Sequence, residues 1–224
     1  MKLFLIKYKS NFIYFINLYF FNMFVIKFGG SLSKNPKAIR KIFEILEEIS
    51  LNHKFIILPG GGEFADLVLK YYESHNLNLK ISHNACILAM DIVGMLLSNF
   101  TKIKTSYELK ENTIFLPSRL LSDSGMEISN EITSDSIAVY IASKVNAETI
   151  ILLKSVDGIF VDKDLYNEIS AKELEKIKSN VIDFAFLKFI QRYKKTAYII
   201  NGNFPERLKN FIEKKEGIHT KIYF

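Results

Sequence analysis

The run Phe24-Val25-Ile26-Lys27-Phe28-Gly29-Gly30-Ser31 decides the fold. A short apolar stretch ends on two glycines. A helical pattern over 38–50 follows, with Ile42, Ile45, Leu46 and Ile49 on one face. The arrangement returns at 54–59, where KFIILP ends at Gly60-Gly61-Gly62 and gives way to a helix reaching about Ser74. Further along, 81–98 carries the helical period through Ile81, Ala85, Leu88, Ala89, Ile92 and Leu96. A short strand is expected at 113–116. Ile137, Ala138, Ile141, Ala142 and Val145 mark another helix, and TIILL at 149–153 another strand. Ser170 and Glu173 form a capping-box pair opening a short helix. A strand at 197–200 precedes a last helix with Pro205 near its start. Alternating strands and helices predict an α/β fold with a largely parallel central sheet. The strands at 24–28, 55–58 and 149–153 are apolar throughout, as strands covered on both faces are. Both glycine clusters follow the carboxyl ends of strands, the edge where open α/β sheets bind ligands.

The chain has 224 residues and one cysteine, Cys86, which excludes an internal disulfide framework and a cysteine-rich zinc site. Its net charge of +6 first suggests nucleic acid or a membrane. The charge is unevenly placed. Residues 1–22 hold three lysines, no acid, and 8 of the 30 Phe and Tyr. Residues 170–224 hold 12 bases against 6 acids, while 23–169 are slightly acidic. No nucleic-acid motif accompanies the bases. Residues 1–22 read as an atypical aromatic extension outside the fold, with Met23 an alternative start. A membrane anchor is weighed against this: Ser10 to Ile26 is 17 uncharged residues, the lower limit for a span. That stretch runs directly into the first core strand with no linker. Residues 23–224 read as a single domain.

Four stretches carry chemistry. Lys27 is the sole charge between Lys9 and Lys34, inside a strand that otherwise reads as core. Either that ammonium is buried and needs an anionic partner, or it snorkels from the strand end above a simple glycine turn. Gly29, Gly30 and Ser31 beside it, and Gly60, Gly61 and Gly62 before the next helix, let backbone amides and a helix N-terminus face a phosphate. Neither loop is a Walker A sequence or G-x-G-x-x-G. Asp135, in Thr133-Ser134-Asp135-Ser136, is either an ordinary N-terminal capping residue or a carboxylate that orients a lysine or metal. Lys154-Ser155-Val156-Asp157-Gly158-Ile159-Phe160 follows a strand and is either a tight Asp-Gly turn or part of a ligand site.

In this order the four pieces resemble the amino acid kinase superfamily, whose pattern is K-x-G-G-S, a triple-glycine loop, an Asp before a helix, and VDG[IVL][FY]. The resemblance covers roughly residues 23–224. It implies a three-layer α/β/α sandwich, with a phosphate-accepting substrate in the N-terminal half and ATP in the C-terminal half. Within the superfamily, GGGEFAD (60–66), SHNACILAMD (82–91), VIDFAF (181–186) and INGNFPERL (200–208) are similar to the methanogen kinases of methanofuran biosynthesis. Those act on [5-(aminomethyl)furan-3-yl]methyl phosphate and give the diphosphate. Glu63-Phe64-Ala65-Asp66 has neither the His of isopentenyl phosphate kinases nor the Arg of bacterial-type UMP kinases. Pro59 stands where acetylglutamate kinases usually have His.

The resemblance implies roles by position. Lys27 and Asp135 are catalytic: Lys27 stabilises the transferring phosphoryl group and Asp135 orients it. Gly29, Gly30, Ser31, Gly60, Gly61 and Gly62 cradle phosphates. Lys154, Asp157, Gly158, Phe160 and Lys188 serve ATP. Asp66 and Asp91 are candidates for the ammonium of the acceptor, or are solvent-facing helix charges. Mg²⁺ enters with ATP and takes no protein ligand. The acceptor oxygen is already anionic, so no general base is required. The G-G-M-x-x-K stretch of several members is absent, leaving Lys154 and Lys188 to replace its lysine. A cytoplasmic homo-oligomer is implied, with a phosphate monoester and ATP as partners and neither nucleic acid nor membrane. Isopentenyl phosphate or UMP as acceptor, and a non-catalytic nucleotide-binding module, remain open.

Overall fold

The computed structural model describes residues 23–122, 124, 126–177 and 179–224. The N-terminal extension expected at 1–22 lies outside the described residues. The described residues begin with β1 (Met23–Phe28), α1 (Pro36–Ile49), β2 (Lys54–Pro59), α2 (Gly62–His75) and α3 (Leu79–Leu97). Then come β3 (Thr105–Ser106), β4 (Thr113–Phe115), α4 (Ser118–Ser122), α5 (Ser134–Lys144) and β5 (Thr149–Lys154). A hairpin of β6 (Ile159–Val161) and β7 (Asp164–Tyr166) leads to β8 (Glu168–Ser170) and α6 (Ala171–Ile177). The chain ends with α7 (Phe184–Tyr193), β9 (Thr196–Asn201), α8 (Glu206–Lys214) and β10 (Thr220–Tyr223).

The central sheet has the order β3-β4-β2-β1-β5-β9-β10-β8. It is parallel from β3 to β9. β10 runs antiparallel to β9 and carries β8 beside it in its own direction. The chain leaves β1 to one side for β2 and β4, then crosses to its other side for β5 and β9. β1 is therefore the switch strand, and its carboxyl end opens the crevice where such sheets bind ligands.

Side-chain alternation sorts the strands into two cores. Phe24, Ile26, Phe28, Phe55, Ile57, Ile151 and Leu153 pack against α1 and α8. Val25, Ile56, Leu58, Ile150, Leu152 and Ile199 pack against α5, α7 and part of α3. The sheet lies between helices on both faces, the predicted α/β/α sandwich. α1 starts where Asn35 accepts the Ala38 N–H at 3.2 Å and Pro36 needs no partner for a missing N–H. The capping box closes as read: Glu173 accepts from both N–H and hydroxyl of Ser170, and Ser170 Oγ accepts the Glu173 N–H.

The structure differs from the sequence reading in the buried face of α3 and in elements the reading passed over, among them the helices α4 and α7 and the strand β3. The apolar period chosen for α3 faces outward: Ile81, Leu88, Ile92 and Leu96 are all exposed. The buried face holds His83, Ile87, Met90, Asp91, Val93 and Leu97. α3 is apolar on both sides, so periodicity alone chose the wrong one. The strands β6, β7, β8 and β10 escaped notice because each is three or four residues long and mixes polar with apolar side chains.

Candidate active site

β1 and β2 run side by side, with Phe28 opposite Pro59. Their glycine loops therefore meet. A Cβ on Gly30 would lie 2.5 Å from the Gly62 Cα and 2.7 Å from its nitrogen, so only glycine permits this approach. Gly62 has φ +52° and opens α2. Sheet pairing extends into both loops: the Gly29 N–H donates to the Leu153 carbonyl and the Gly60 N–H to the Phe28 carbonyl, each at 2.8 Å. Both turns are thereby gathered at the N-terminal end of the α2 dipole, which favours an anion. The Ser31 and Ser155 hydroxyls, 3.2 Å apart, link the first loop to the segment after β5.

Lys27 continues the face of Val25, toward α5. On the neighbouring strand, Lys154 continues the face of Ile150 and Leu152. The first turn of α5 enters between them and brings Asp135. Lys27 Nζ lies 2.8 Å from Asp135 Oδ1, and Lys154 Nζ 2.6 Å from Oδ2. Lys27 is 6% exposed and Asp135 4%. Burial pushes the Lys27 ammonium below the usual lysine range, against the pull of Asp135 and with the help of Lys154. Burial alone would raise the Asp135 carboxyl, but Lys27 and Lys154 together hold it below the usual carboxylate range. One carboxylate thus faces two lysines beside the glycine loops, and Asp183 adds a weaker pull on Lys27.

The N-terminus of α5 is held by a residue that sequence reasoning missed. Asp183 accepts from the Thr133 hydroxyl at 2.6 Å, the Ser136 hydroxyl at 3.0 Å and the Phe186 N–H at 2.6 Å. It caps α7 and fastens it to the turn that carries Asp135. Burial pushes the Asp183 carboxyl up, and the Thr133 bond works against that. An Asp before the apolar run Phe184–Phe186 was the available signal.

A cavity of about 480 Å³ opens over this cluster. Lys27, Gly29, Gly30, Ser31, Gly61, Gly62, Asp66 and Lys154 all line it, and Asp135 stands behind the lysines. The lining continues as an apolar slot of Leu69, Ile87, Met90 and Ile132, with His83, Cys86 and Asn130. Gly60 supports the loop from behind, packed near Gly30, Phe28 and Ser134.

Other residues singled out in the sequence stand elsewhere. Asp91 is turned from the cavity and accepts from the Ser118 N–H and hydroxyl, at 3.2 and 2.5 Å, at the start of α4. Burial raises its carboxyl. Asp157 accepts from Asn201 Nδ2 at 2.8 Å and pairs with Arg207. Gly158 has φ +155°, and a Cβ there would strike Thr220 Oγ1. That turn thus locks β5 to the last part of the sheet. Phe160 is half exposed on the hairpin, and Lys188 Nζ sits 4.5 Å from the Phe184 ring centre. None of Asp157, Gly158, Phe160 and Lys188 lines the cavity. Of the two lysines proposed to replace the missing G-G-M-x-x-K lysine, Lys154 lies at the cluster. Among the described residues no group of three or more His, Cys, Asp or Glu is placed to hold a metal ion.

The model of the Amino acid kinase family matches residues 22–107 and 120–201. The chain belongs to the amino acid kinase family. It is a kinase by that membership, and the resemblance read from its four motifs agrees. Over 214 residues it is 36% identical to the [5-(aminomethyl)furan-3-yl]methyl phosphate kinase of Methanocaldococcus jannaschii, covering 89% of this chain and 97% of the relative. It is 27% identical over 220 residues to the uridylate kinase of the same organism, covering 83% and 93%. The crystal structure of uridylate kinase from Archaeoglobus fulgidus shares the fold, with a TM-score of 0.68 at 23% identity over 89% of this chain and 99% of that one. In this family member the two glycine loops, Lys27, Lys154 and Asp135 form one constellation.

Proposed function

We propose that the protein transfers the γ-phosphoryl group of ATP to the phosphate of [5-(aminomethyl)furan-3-yl]methyl phosphate, giving the diphosphate for methanofuran biosynthesis. The observation that carries the reading is the pairing of Lys27 and Lys154 with one carboxylate, Asp135, at the meeting of two glycine loops. Such a junction suits two phosphates brought end to end. The substrate follows from the 36% identity to the kinase of that name, which exceeds the 27% to a uridylate kinase.

Phosphoryl transfer depends on positioning and charge compensation. Lys27 and Lys154 draw in the γ-phosphate and steady the charge that spreads over its oxygens. The amides of Gly29, Gly30, Gly61 and Gly62 hold donor and acceptor phosphates. Asp135 keeps both lysines aimed and charged. An acceptor oxygen attacks phosphorus as the bond to ADP breaks, and no proton need be removed from it. Mg²⁺, when bound to the triphosphate, neutralises oxygens of the β- and γ-phosphates. The N-terminal half takes the acceptor and the C-terminal half ATP, within a single domain at 23–224 located in the cytoplasm. A coupled ADP-release assay over the aminomethylfuran phosphate, UMP and isopentenyl phosphate tests this. The furan acceptor should give the highest kcat/KM, and turnover of UMP alone would defeat the reading.

The protein also pairs with a second copy of itself through α3. Leu79–Phe100 is long and apolar enough to cross a membrane, and half of it is buried within the protein. The remainder is a stripe of Ile81, Leu88, Ile92, Met95 and Leu96, continued on α2 by Leu67 and Tyr71. A two-fold axis would set two such stripes against each other. Ile92→Glu should convert the wild-type dimer to a monomer in sedimentation. An unchanged sedimentation coefficient would place the interface elsewhere.

A further inference from the structure

The apolar slot carries hydrogen-bond acceptors in its lining, and among the described residues its lining lysines are both paired. His83, on the buried face of α3, is 5% exposed and lines the cavity. Its Nδ1 lies 3.0 Å from the carbonyl of Ser129. A carbonyl only accepts, so Nδ1 carries the proton, and in the neutral ring Nε2 is left as a lone-pair acceptor. Among the described residues no protein group donates to Nε2. Next in the chain to Ser129, Asn130 lines the same cavity, and its Oδ1 is buried without a hydrogen-bond partner. A buried acceptor left so costs stability that a ligand's donor would restore. Asp66 stands at the rim on α2, one turn after the glycine loop. Its charge reaches the slot: after burial, Asp66 is what pushes the Cys86 thiol up, and Cys86 is part of the wall. The lining cations Lys27 and Lys154 are both held by Asp135.

We infer that His83 and Asn130, with Asp66 supplying the countercharge, form the specificity pocket for an ammonium at the far end of the acceptor from its phosphate. The inference rests on the proposed function and adds residues to it. The phosphate sits on Gly61 and Gly62. A small flat ring fills the slot between Leu69, Ile87, Met90 and Ile132. A primary ammonium, with donors and no acceptor, then meets Nε2 of His83 and Oδ1 of Asn130 in the negative potential of Asp66. A ligand ending in an alkyl group would leave those acceptors unmatched, the situation in which a polar pocket discriminates most strongly.

The test compares [5-(aminomethyl)furan-3-yl]methyl phosphate with the analogue bearing methyl in place of aminomethyl. Wild type should favour the amine by about 10-fold or more in kcat/KM. His83→Phe, Asn130→Leu and Asp66→Asn should each raise KM for the amine by about 10-fold, with the smaller part of the effect in kcat, and narrow the preference. Asp66 is exposed, so Asp66→Asn provides a reading even where a change at His83 disturbs folding. Equal kcat/KM for amine and analogue in wild type overturns the inference and leaves the proposed function standing. An undiminished preference in Asp66→Asn and Asn130→Leu does the same. Failure to phosphorylate either furan, with UMP turned over, defeats the proposed function and the inference together.

Discussion

Lys27→Ala is expected to lower kcat by about 10²–10³ while the protein melts at or above the wild-type temperature. Both halves follow from the charge count. In wild type, the buried Lys27 and the partly exposed Lys154 share one carboxylate. Removing Lys27 leaves Lys154 paired with Asp135 at 2.6 Å, one charge against one, in the same buried place. Burial already works against the Lys27 ammonium, so the fold loses a group whose charge it holds at a cost. Catalysis loses the ammonium aimed where phosphoryl charge develops. Lys27→Arg should not rescue it, because a planar guanidinium does not fit a pocket built for a point charge. Steady-state kinetics beside a thermal melt decide the matter. Turnover within threefold of wild type would remove Lys27 from the mechanism.

How much of this was legible in the sequence depends on what each residue had to signal. Lys27 stood out because a charge inside an apolar strand is physically expensive, and the glycines because two loops shared one context. Their meeting at Gly30 and Gly62 needed the register of β1 against β2, which sequence does not state. Asp135 was ambiguous, since a cap and an orienting carboxylate look alike until two lysines are seen against it. Asp91 misled for the mirror reason: it is a capping carboxylate that happens to sit on a helix beside the site. The outward face of α3 was hidden by a helix apolar on both sides. The VDG turn was correctly found as a turn, but the contact that makes its glycine necessary is with Thr220, sixty-two residues away in sequence. His83 and Asn130 belong to different elements, and only the fold brings them to one wall.

Asp135→Asn separates charge from shape at the same centre, and its expected result is the opposite of that for Lys27→Ala in stability. The amide keeps the size of the side chain and removes the carboxylate that pairs with both lysines. Breaking a buried pair from one side costs about 3–5 kcal/mol. At roughly 2–4 °C per kcal/mol for a domain of this size, the melt should fall by about 6–20 °C near neutral pH. The loss depends on pH in a definite direction. Lys27 is already held below its usual range by burial, and without Asp135 it falls further. A lysine with a depressed folded pKa contributes stability above its unfolded value and loses it as pH falls through the folded value. The variant should therefore recover toward wild type as pH rises and Lys27 sheds its proton. On the acid side, Asp135 in wild type is held low by the two ammoniums, so wild type alone loses that contribution as pH falls through its folded value. The gap in melting temperature is then widest between the two limbs and narrows on both. Activity follows the same charge. kcat should fall much more than the affinity for ATP, and its alkaline limb should move to lower pH because the ammonium is lost sooner. A gap in melting temperature that does not change with pH would mean that Asp135 acts by shape alone. A change confined to the KM for ATP would mean that it helps hold the nucleotide and does not orient the lysines.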